Sequence, residues 1–495
     1  MECDRVTRRG LVAGGIVCAL AIWLAPAPAD AAEAADAVIA RAERMMGSAS
    51  VRTLRFAGSG TGGTFGQAYE PGGPWPKLTI SSLSRVLDYP NAALREESAR
   101  SRSEPTGGGA VPLMGTGEQR QVNLLQGSHA WNLAGNNAVP SPVALEVRQH
   151  DLWISPHGVL MAARRNKATV TFDSRGGKSL AAVSFTEAGV MSAVAYINDD
   201  GLVERVESRH PHPVTGDTAV TTLYSDYRDH GGVKFPMRIR QSHLGSPTLD
   251  LEVKEVQVNP ATDFVAPDAV RNFTERVASQ QVADGVWYLA GGSHHSVLIE
   301  MKDHLIVVES PLYDGRAQAM LQEVKKLVPG KPIRTVINSH HHFDHSGGLR
   351  TAAAEGATLM VTAAARPYFE KVLANANRVK PDALARSGRK AKFASYGAKT
   401  LLTDGARNVE VYSIDGSIHA KGFTMVYLPK EKLLIEADAF TPGPPNSPPP
   451  AKPNDNHVNL LENIERRNLA VDRILPLHGR VVPLAELQTA VGRKP

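Results

Sequence analysis

The sequence predicts an α+β chain in two parts: an antiparallel β-rich N-terminal domain, then a domain in which strands alternate with helices. Three observations lead there. At 495 residues the chain exceeds what one hydrophobic core ordinarily serves, so two domains are expected. From Val51 to Val258 short β-type runs are separated by Gly, Pro, Asn and Asp, which is the signature of successive hairpins. From Val286 onward strand-like runs give way to strand, helix, strand, ending in a dense polar cluster at His340 to His345.

Residues 1–31 read as a targeting segment. Arg5, Arg8 and Arg9 precede an apolar run from Gly10 to Leu24, and Ala29-Asp30-Ala31 offers a small-residue cleavage site. A mature chain would begin near Ala32. Thr7-Arg8-Arg9-Gly10-Leu11-Val12 resembles a twin-arginine export signal. The expected location is therefore the periplasm or the exterior of a bacterial cell. The apolar run is too short and too punctuated for a stable membrane span in the mature protein. Both cysteines, Cys3 and Cys18, fall inside this segment, so the mature chain has no disulfide and no thiolate. Any metal must then be held by histidines and carboxylates. The net charge of +5 is mild over this length and no Lys/Arg tract stands out, so nucleic acid is not expected as a partner. Nothing in the sequence sets the oligomeric state.

The N-terminal domain is assigned to residues 32–258. Ala37 to Met46 reads as a short helix. Strand-like runs follow at Leu78 to Leu87, Ala168 to Phe172, Leu180 to Phe185, Ala193 to Ile197, Leu202 to Glu207, Ala219 to Tyr227, Phe235 to Gln241 and Leu249 to Val258. Asp199-Asp200-Gly201 and Asp229-His230-Gly231-Gly232 are the clearest turns. A polar interruption from Ser101 to Gln119 and a helical patch from Ala144 to Arg165 break the series. The run from Thr222 to Pro236 resembles the last hairpins of the half-barrel in periplasmic lipoprotein carriers. That resemblance implies a curved sheet around an apolar groove able to take an acyl chain or a partner. The preferred reading is plainer, a supporting domain that covers one side of its neighbour. His210, His212, His230 and His243 form no ligand pattern and are expected at the surface.

Residues 259–281 read as a linker, with Pro260, Pro267 and no sustained period, and 282–495 as the second domain. Val286 to Leu289, Ser296 to Met301 and Leu305 to Glu309 are strand-like. Arg316 to Val328 is helix-like, with Met320, Leu321, Val324 and Leu327 on one face. Arg334 to Asn338 returns as a strand and delivers His340-His341-His342-Phe343-Asp344-His345. His340 and His342 are two apart and project to one side of an extended segment, while Asp344 and His345 follow where the chain can turn toward a second position. Imidazoles suit zinc or a similar first-row ion, and the carboxylate can hold a second. Gly347-Gly348 then allow close passage.

Further ligands are needed downstream. His419 sits in the loop before the strand Phe423 to Leu428. Leu433 to Ala437 returns as its hairpin partner and ends at Asp438, so the two ends can lie side by side. Val471 to Leu477 then leads to His478.

With those residues in hand, 282 to 494 resembles a metallo-β-lactamase-superfamily hydrolase. The first metal motif of that family, His-x-His-x-Asp-His, matches His340, His342, Asp344 and His345, and its later single-residue motifs match His419, Asp438 and His478 in order. The resemblance implies an αββα sandwich with a two-zinc site along one edge of its sheets. It implies that His340, His342 and His419 bind the first zinc, that Asp344, His345 and His478 bind the second, and that Asp438 bridges both. Three neutral imidazoles leave an open position for water, and metal-bound water ionising near pH ~7 would be the nucleophile. Asp344 would be the catalytic residue that orients it and passes on its proton.

The substrate class is left open among ester, lactone, thioester and amide-like bonds in small molecules. Zinc β-lactamases usually carry Cys or Ser at the position of Asp438, and Ala439-Phe440-Thr441 lacks the lysine many of them use. A dedicated β-lactamase is thus the secondary enzymatic alternative. A lipid- or partner-binding carrier with a vestigial metal domain is the non-enzymatic one. Phe440 to Pro453, with seven prolines, is expected as a stiff flap, and Val458 to Arg467 as a helix. The basic stretch Arg378 to Lys399 is either an entrance lining or a solvated loop. His294, His295 and His341 are extra histidines not assigned as ligands.

Overall fold

The computed structural model describes residues 29–104, 107–109, 117–175 and 178–494. The expected export signal falls mostly on residues 1–28, outside the described residues, as do Cys3 and Cys18. The first helix, Ala29–Met46, begins earlier than the sequence pattern indicated. It is rich in Ala, the best helix former, and buries Ala35, Ile39, Ala42 and Met46, a 4-3-4 spacing that forms one stripe. No helix among the described residues is long and apolar enough to cross a membrane.

The N-terminal half is built on one sheet of thirteen strands. They are β1 Thr53–Gly63, β2 Lys77–Asp88, β3 Ala93–Glu104, β4 Gln119–Gln126, β5 His129–Ala134, β6 Asn137–Pro140, β7 Thr169–Arg175, β8 Lys178–Glu187, β9 Met191–Ile197, β10 Val203–His212, β11 Gly216–Asp229, β12 Lys234–His243 and β13 Ser246–Val258. Two meanders, β1 to β6 and β7 to β13, join where β1 pairs with β13 (Leu54 opposite Val258), and every pairing is antiparallel. The expected helical patch is two helices, Leu145–Trp153 and Pro156–Arg165. The second is started by Pro156 and capped by Ser155, whose Oγ accepts from the Gly158 amide. These helices and Ala29–Met46 cover the apolar face of the sheet: Ile39, Leu152, Val159 and Leu160 share one core with Leu54, Val183, Phe235 and Leu251. The groove that a carrier-like sheet would leave open is thus filled by the chain's own helices.

Part of the expected linker is structured. Ala266 packs on Leu124 and Trp131 together with Val270, which lies in the short helix Asp268–Arg271, and Ala278–Ala283 is already a strand, β14.

The C-terminal half holds two sheets. The first contains β14, β15 Val286–Ala290, β16 Ser296–Glu300, β17 Leu305–Val308, β18 Ile333–Ile337, β19 Thr358–Thr362 and β20 Lys392–Tyr396, in that order, and is parallel from β17 onward. The second contains β21 Lys399–Thr403, β22 Asn408–Ser413, β23 Thr424–Leu428, β24 Leu433–Glu436, β25 Arg473–Pro476 and β26 Val482–Pro483. Alternation along the strands of the first sheet explains the layering. Val297, Ile299, Ile306, Val308 and Ile337 join the core shared with Val411, Met425 and Ile435 of the second sheet. Leu298, Leu305, Val307 and Val336 instead meet Met320, Leu321 and Val324 of the helix Asp314–Leu327. The helix Asp455–Arg466 covers the second sheet through Leu460, Leu461 and Ile464. With helix, sheet, sheet and helix stacked this way, central strands are buried on both faces and read as continuous apolar runs.

The two halves are docked along two seams. The β10–β11 turn meets the segment after the helix Arg366–Leu373: the Asp217 amide donates to Ala376 O (2.8 Å), and the Asp217 carboxylate accepts from the amides of Arg378 and Val379 (2.8 and 3.1 Å). Lys380 pairs with Glu146 at 2.6 Å. The basic stretch from Arg378 therefore starts as a docking surface, not an entrance lining. The second seam is the β1–β2 loop, where Phe65 and Trp75 pack around Phe343 (ring centroids 5.0 and 6.0 Å).

Candidate metal centre

The strand β18 ends at Ile337, and the loop that follows is tied at three residues to one buried acid. Glu309, at the end of β17, accepts from Asn338 Nδ2 (2.9 Å), from Ser339 Oγ, and from His345 Nδ1 (3.1 Å). Glu309 is fully buried and has φ = 72°, a left-handed conformation costing about 1–2 kcal/mol in a residue with a Cβ. A strained and buried carboxylate with three donors is a fixed point around which the loop is built.

The proton assignments follow from what each imidazole meets. Ser339 gives its proton to Glu309, so toward His340 Nδ1 (2.9 Å) it accepts, and His340 Nε2 is left with its lone pair. His342 Nε2 lies 2.9 Å from Ala68 O, which can only accept, so His342 Nδ1 carries the lone pair. Ser293 O on His478 Nδ1 (3.0 Å) likewise leaves His478 Nε2 with its lone pair, while Glu309 takes the Nδ1 proton of His345, whose Nε2 faces the Asp438 carboxylate and presents a lone pair once a cation displaces its proton. These four nitrogens converge. His340 Nε2 is 2.9 Å from His342 Nδ1 and 3.1 Å from His419 Nε2, and His345 Nε2 is 3.2 Å from His478 Nε2. Two lone pairs facing each other at such distances repel unless a cation lies between them. Ligand atoms ~2.0 Å from a tetrahedral ion sit roughly 3.3 Å apart, which is close to the spacing found.

Asp438 stands between the two groups. Its Oδ2 lies 2.9 Å from His419 Nε2, and its Oδ1 lies 2.9 and 3.0 Å from His478 Nε2 and His345 Nε2. Oδ1 is buried and makes no hydrogen bond of acceptable geometry despite those neighbours. The hairpin β23–β24 thus brings His419 and Asp438 together as its geometry requires.

Four groups (His340, His342, His419 and Asp438) lie with ligand atoms within 4.8 Å of one another, and so do His294, Asp344, His345 and His478. Asp344 is the looser member, with Oδ2 3.9 Å from His345 Nε2. It is held by two residues outside the sequence motif: Gln67 Nε2 donates to Oδ1 (2.9 Å), and His294 Nε2 lies 3.3 Å from Oδ2. The ring of His294 also lies 4.0 Å from that of His478. His341 turns away and meets Ala68 O at 2.8 Å, and His295 Nδ1 accepts from the Gly291 amide.

The electrostatics divide the site. Burial, reinforced by neighbouring imidazoles, pushes His340 and His342 well below the ordinary histidine range and keeps them neutral. His345 is equally buried, but Asp438 and Asp344 outweigh the desolvation and hold it well above that range. Against its own desolvation, Asp438 is held down by His345, His419 and His478. The pocket is therefore prepared for net positive charge beside its carboxylates, and it holds neutral donors at the other end. The donor set fits first-row divalent ions, with imidazole nitrogen and carboxylate oxygen and no thiolate.

Sequence reasoning missed three contributors. Glu309 ends the apolar run of β17, and a buried-strand acid of that kind was the available signal. His294 had been set aside as unassigned. Gln67 gave no local signal, because it arrives from the other half of the chain. The N-terminal histidines differ from expectation. His210 and His243 are buried and His212 and His230 half-buried, since the first three pack with His150 and Phe65 beneath the β1–β2 loop.

A relative, 2,4-dinitroanisole O-demethylase subunit alpha of Nocardioides sp. (strain JS1661), is 25% identical over 187 residues, 37% of this chain and 52% of the relative, so the match spans about half of that protein. Among solved structures, a metallo-β-lactamase from Pontibacter korlensis aligns over 44% of this chain and 98% of its own at 15% identity and a TM-score of 0.33. The FIM-1 enzyme of Pseudomonas aeruginosa in its mono-zinc form aligns over 44% and 94% at 18% identity and a TM-score of 0.34. Residues 289–478 match the family model described as the metallo-beta-lactamase superfamily, and the C-terminal domain of this chain is a member of that superfamily.

Proposed function

We propose that this chain is an exported two-zinc hydrolase. His340, His342 and His419 would hold one ion, Asp344, His345 and His478 would hold the other, and Asp438 would serve both. The observation that carries this reading is the convergence of imidazole nitrogens on the two oxygens of one buried carboxylate. Ions bound there would supply an activated water and polarise the attacked bond. The chain's own residues do the rest. Glu309, Ser339, Ala68 O and Ser293 O fix which nitrogen of each imidazole faces the site, and His345 alone would give up a proton to the incoming cation. Asp344, steadied by Gln67 and His294, keeps one carboxylate edge available to orient a water and to take up its proton.

The substrate is a small molecule with an ester, lactone, thioester or amide-like bond. The aryl ether in the name of the O-demethylase relative is a further substrate class to test, and a β-lactam is the secondary alternative. The carrier reading is the weaker one, because the apolar face of the N-terminal sheet is covered by three helices of the chain itself. The test is metal analysis of the purified protein together with a panel of lactone, thioester, phosphodiester, aryl ether and β-lactam substrates, with and without chelator. Two equivalents of zinc and one chelator-sensitive activity are expected. Protein that takes up no divalent metal, or activity indifferent to chelation, would overturn the proposal. Export is tested separately by fractionating cells that produce the full chain with Arg8-Arg9 intact or replaced by Lys-Lys; retention of the replaced chain in the cytoplasm is expected.

A further inference from the structure

The β1–β2 loop belongs to the N-terminal half, yet it lies across the metal centre. Its carbonyls and side chains touch two of the ligand-bearing loops of the C-terminal domain. Gly66 O accepts from the Phe343 amide (3.3 Å), Ala68 O meets His341 and His342, and Tyr69 O accepts from the Lys421 amide (2.8 Å). Tyr69 Oη donates to Ser417 O at 3.1 Å, and Lys421 pairs with Glu70 at 3.0 Å. The loop is braced internally, with the Thr64 amide on Pro76 O and the Gln67 amide on Thr64 O (2.9 and 3.2 Å). Five consecutive residues, Gly66 to Glu70, therefore tie the His340–His345 loop to the loop of His419.

Two glycines make the approach possible. A Cβ on Gly66, at φ = 84°, would fall 2.2 Å from the Phe343 ring. One on Gly109 would fall 1.8 Å from Gln67 Oε1 and 3.3 Å from His342 Cε1. Gln67 is thus clamped between the 107–109 segment and the site. Its amide has only one sensible orientation, since the Asp344 carboxylate is an acceptor and must face the NH2 group.

We infer that Gln67 is a positioning residue for Asp344, so that the N-terminal domain completes the metal centre and is part of the enzyme. The inference rests on the two-metal reading above. Asp344 Oδ2 stands 3.9 Å from His345 Nε2, and Gln67 and His294 approach its two oxygens separately. Removal of Gln67 frees the carboxylate to rotate about χ2, and the ion nearest Asp344 is the one that feels it.

The experiment uses the full chain loaded with cobalt(II), comparing wild type with Gln67→Ala and Gln67→Glu. Its readouts are the absorption spectrum and stepwise affinity of each cobalt equivalent, with far-UV circular dichroism as a check on folding. The expected result is that the first equivalent is unchanged and the second weakens about tenfold in Gln67→Ala, the usual effect of losing an outer partner of a ligand. Gln67→Glu, which is nearly isosteric but sets acceptor against acceptor, should weaken it further and shift the spectrum of the second equivalent. A purely structural role predicts the reverse order, with Ala worse than Glu. That order, or a second equivalent within twofold of wild type in both variants, would overturn the inference while the two-metal reading stands. Wild-type protein that binds no cobalt would overturn both.

Discussion

Replacement of Glu309 by Gln should weaken metal binding through His345 without touching any ligand. The side chain is fully buried and makes three hydrogen bonds, to Asn338 Nδ2, Ser339 Oγ and His345 Nδ1. Gln keeps the size and can still accept from Asn338 with its oxygen. Its NH2 group then faces the Ser339 hydroxyl and the His345 Nδ1–H, two donors that previously met a carboxylate oxygen. Losing one charge-assisted bond costs about 1.5–3 kcal/mol. The imidazole also loses the carboxylate that raises its basicity as a ligand, and outer partners of this kind are worth ~10–100-fold in metal affinity, or about 1.4–2.7 kcal/mol. Competition titration against a chelator of known affinity measures this for wild type, Glu309→Gln, His345→Ala and the double variant. If Glu309 acts through His345, Glu309→Gln should lose about tenfold or more alone and little further in the His345→Ala background. Full additivity of the two losses, or a single-variant change below threefold, would refute the reasoning.

Other outcomes follow from the same geometry. Asp438→Asn should lower the affinity of both metal equivalents, because each carboxylate oxygen faces a different imidazole group; elemental analysis after dialysis should find less than one ion per chain. Phe343→Ala should cost about 3–5 kcal/mol in urea unfolding, since the ring fills the space among Phe65, Trp75 and His212. Acid should destabilise the N-terminal half. Burial lowers His157 to about 4, with only partial relief from a hydrogen bond to the Lys234 backbone, and burial plus neighbouring imidazoles lowers His243 to about 4 and His212 to about 3. The unfolded chain takes up protons near pH ~6.5 and the folded one does not, so stability is full above that pH and falls as the pH drops toward 4. For His157 alone the loss approaches about 3 kcal/mol, and His157→Gln should flatten the melting temperature between pH 7 and 4.5.

The parts of the fold that were legible from sequence are those written in local periodicity. The β-runs of the N-terminal half and the face Met320, Leu321, Val324 of the helix Asp314–Leu327 follow from alternation and from the 3.6-residue period, and burial sets both patterns. Seven of the eight clustered residues were legible, because metal-ligand residue types at strand ends have few other uses, and His294 was not. Register is fixed at long range, and it escaped: nothing near Leu54 announces that its strand pairs with Val258 and so joins two meanders into one sheet. Burial of polar residues was misread for the same reason. His210 and His243 look solvated in sequence because their neighbours are polar, yet Pro211 O meets His210 Nδ1 and Thr248 meets His243 Nδ1 inside the packed layer.

The contribution of the β1–β2 loop shows where sequence reading ends and why. A ligand must have a particular side chain, so its identity survives in the sequence as a motif. Ala68 acts through its carbonyl oxygen, which every residue possesses, and Gly66 and Gly109 act by lacking a Cβ. Gln67 acts through an amide that is common on any surface. Such contributions carry no type signature and come from 277 positions away in the case of Gln67 and Asp344. They become visible only when the two halves are docked, and there they set which nitrogen of His342 bears a proton and which way Asp344 faces. Variants in this loop should therefore change metal affinity while leaving the stability of each core nearly intact, and substitutions inside either core should do the opposite.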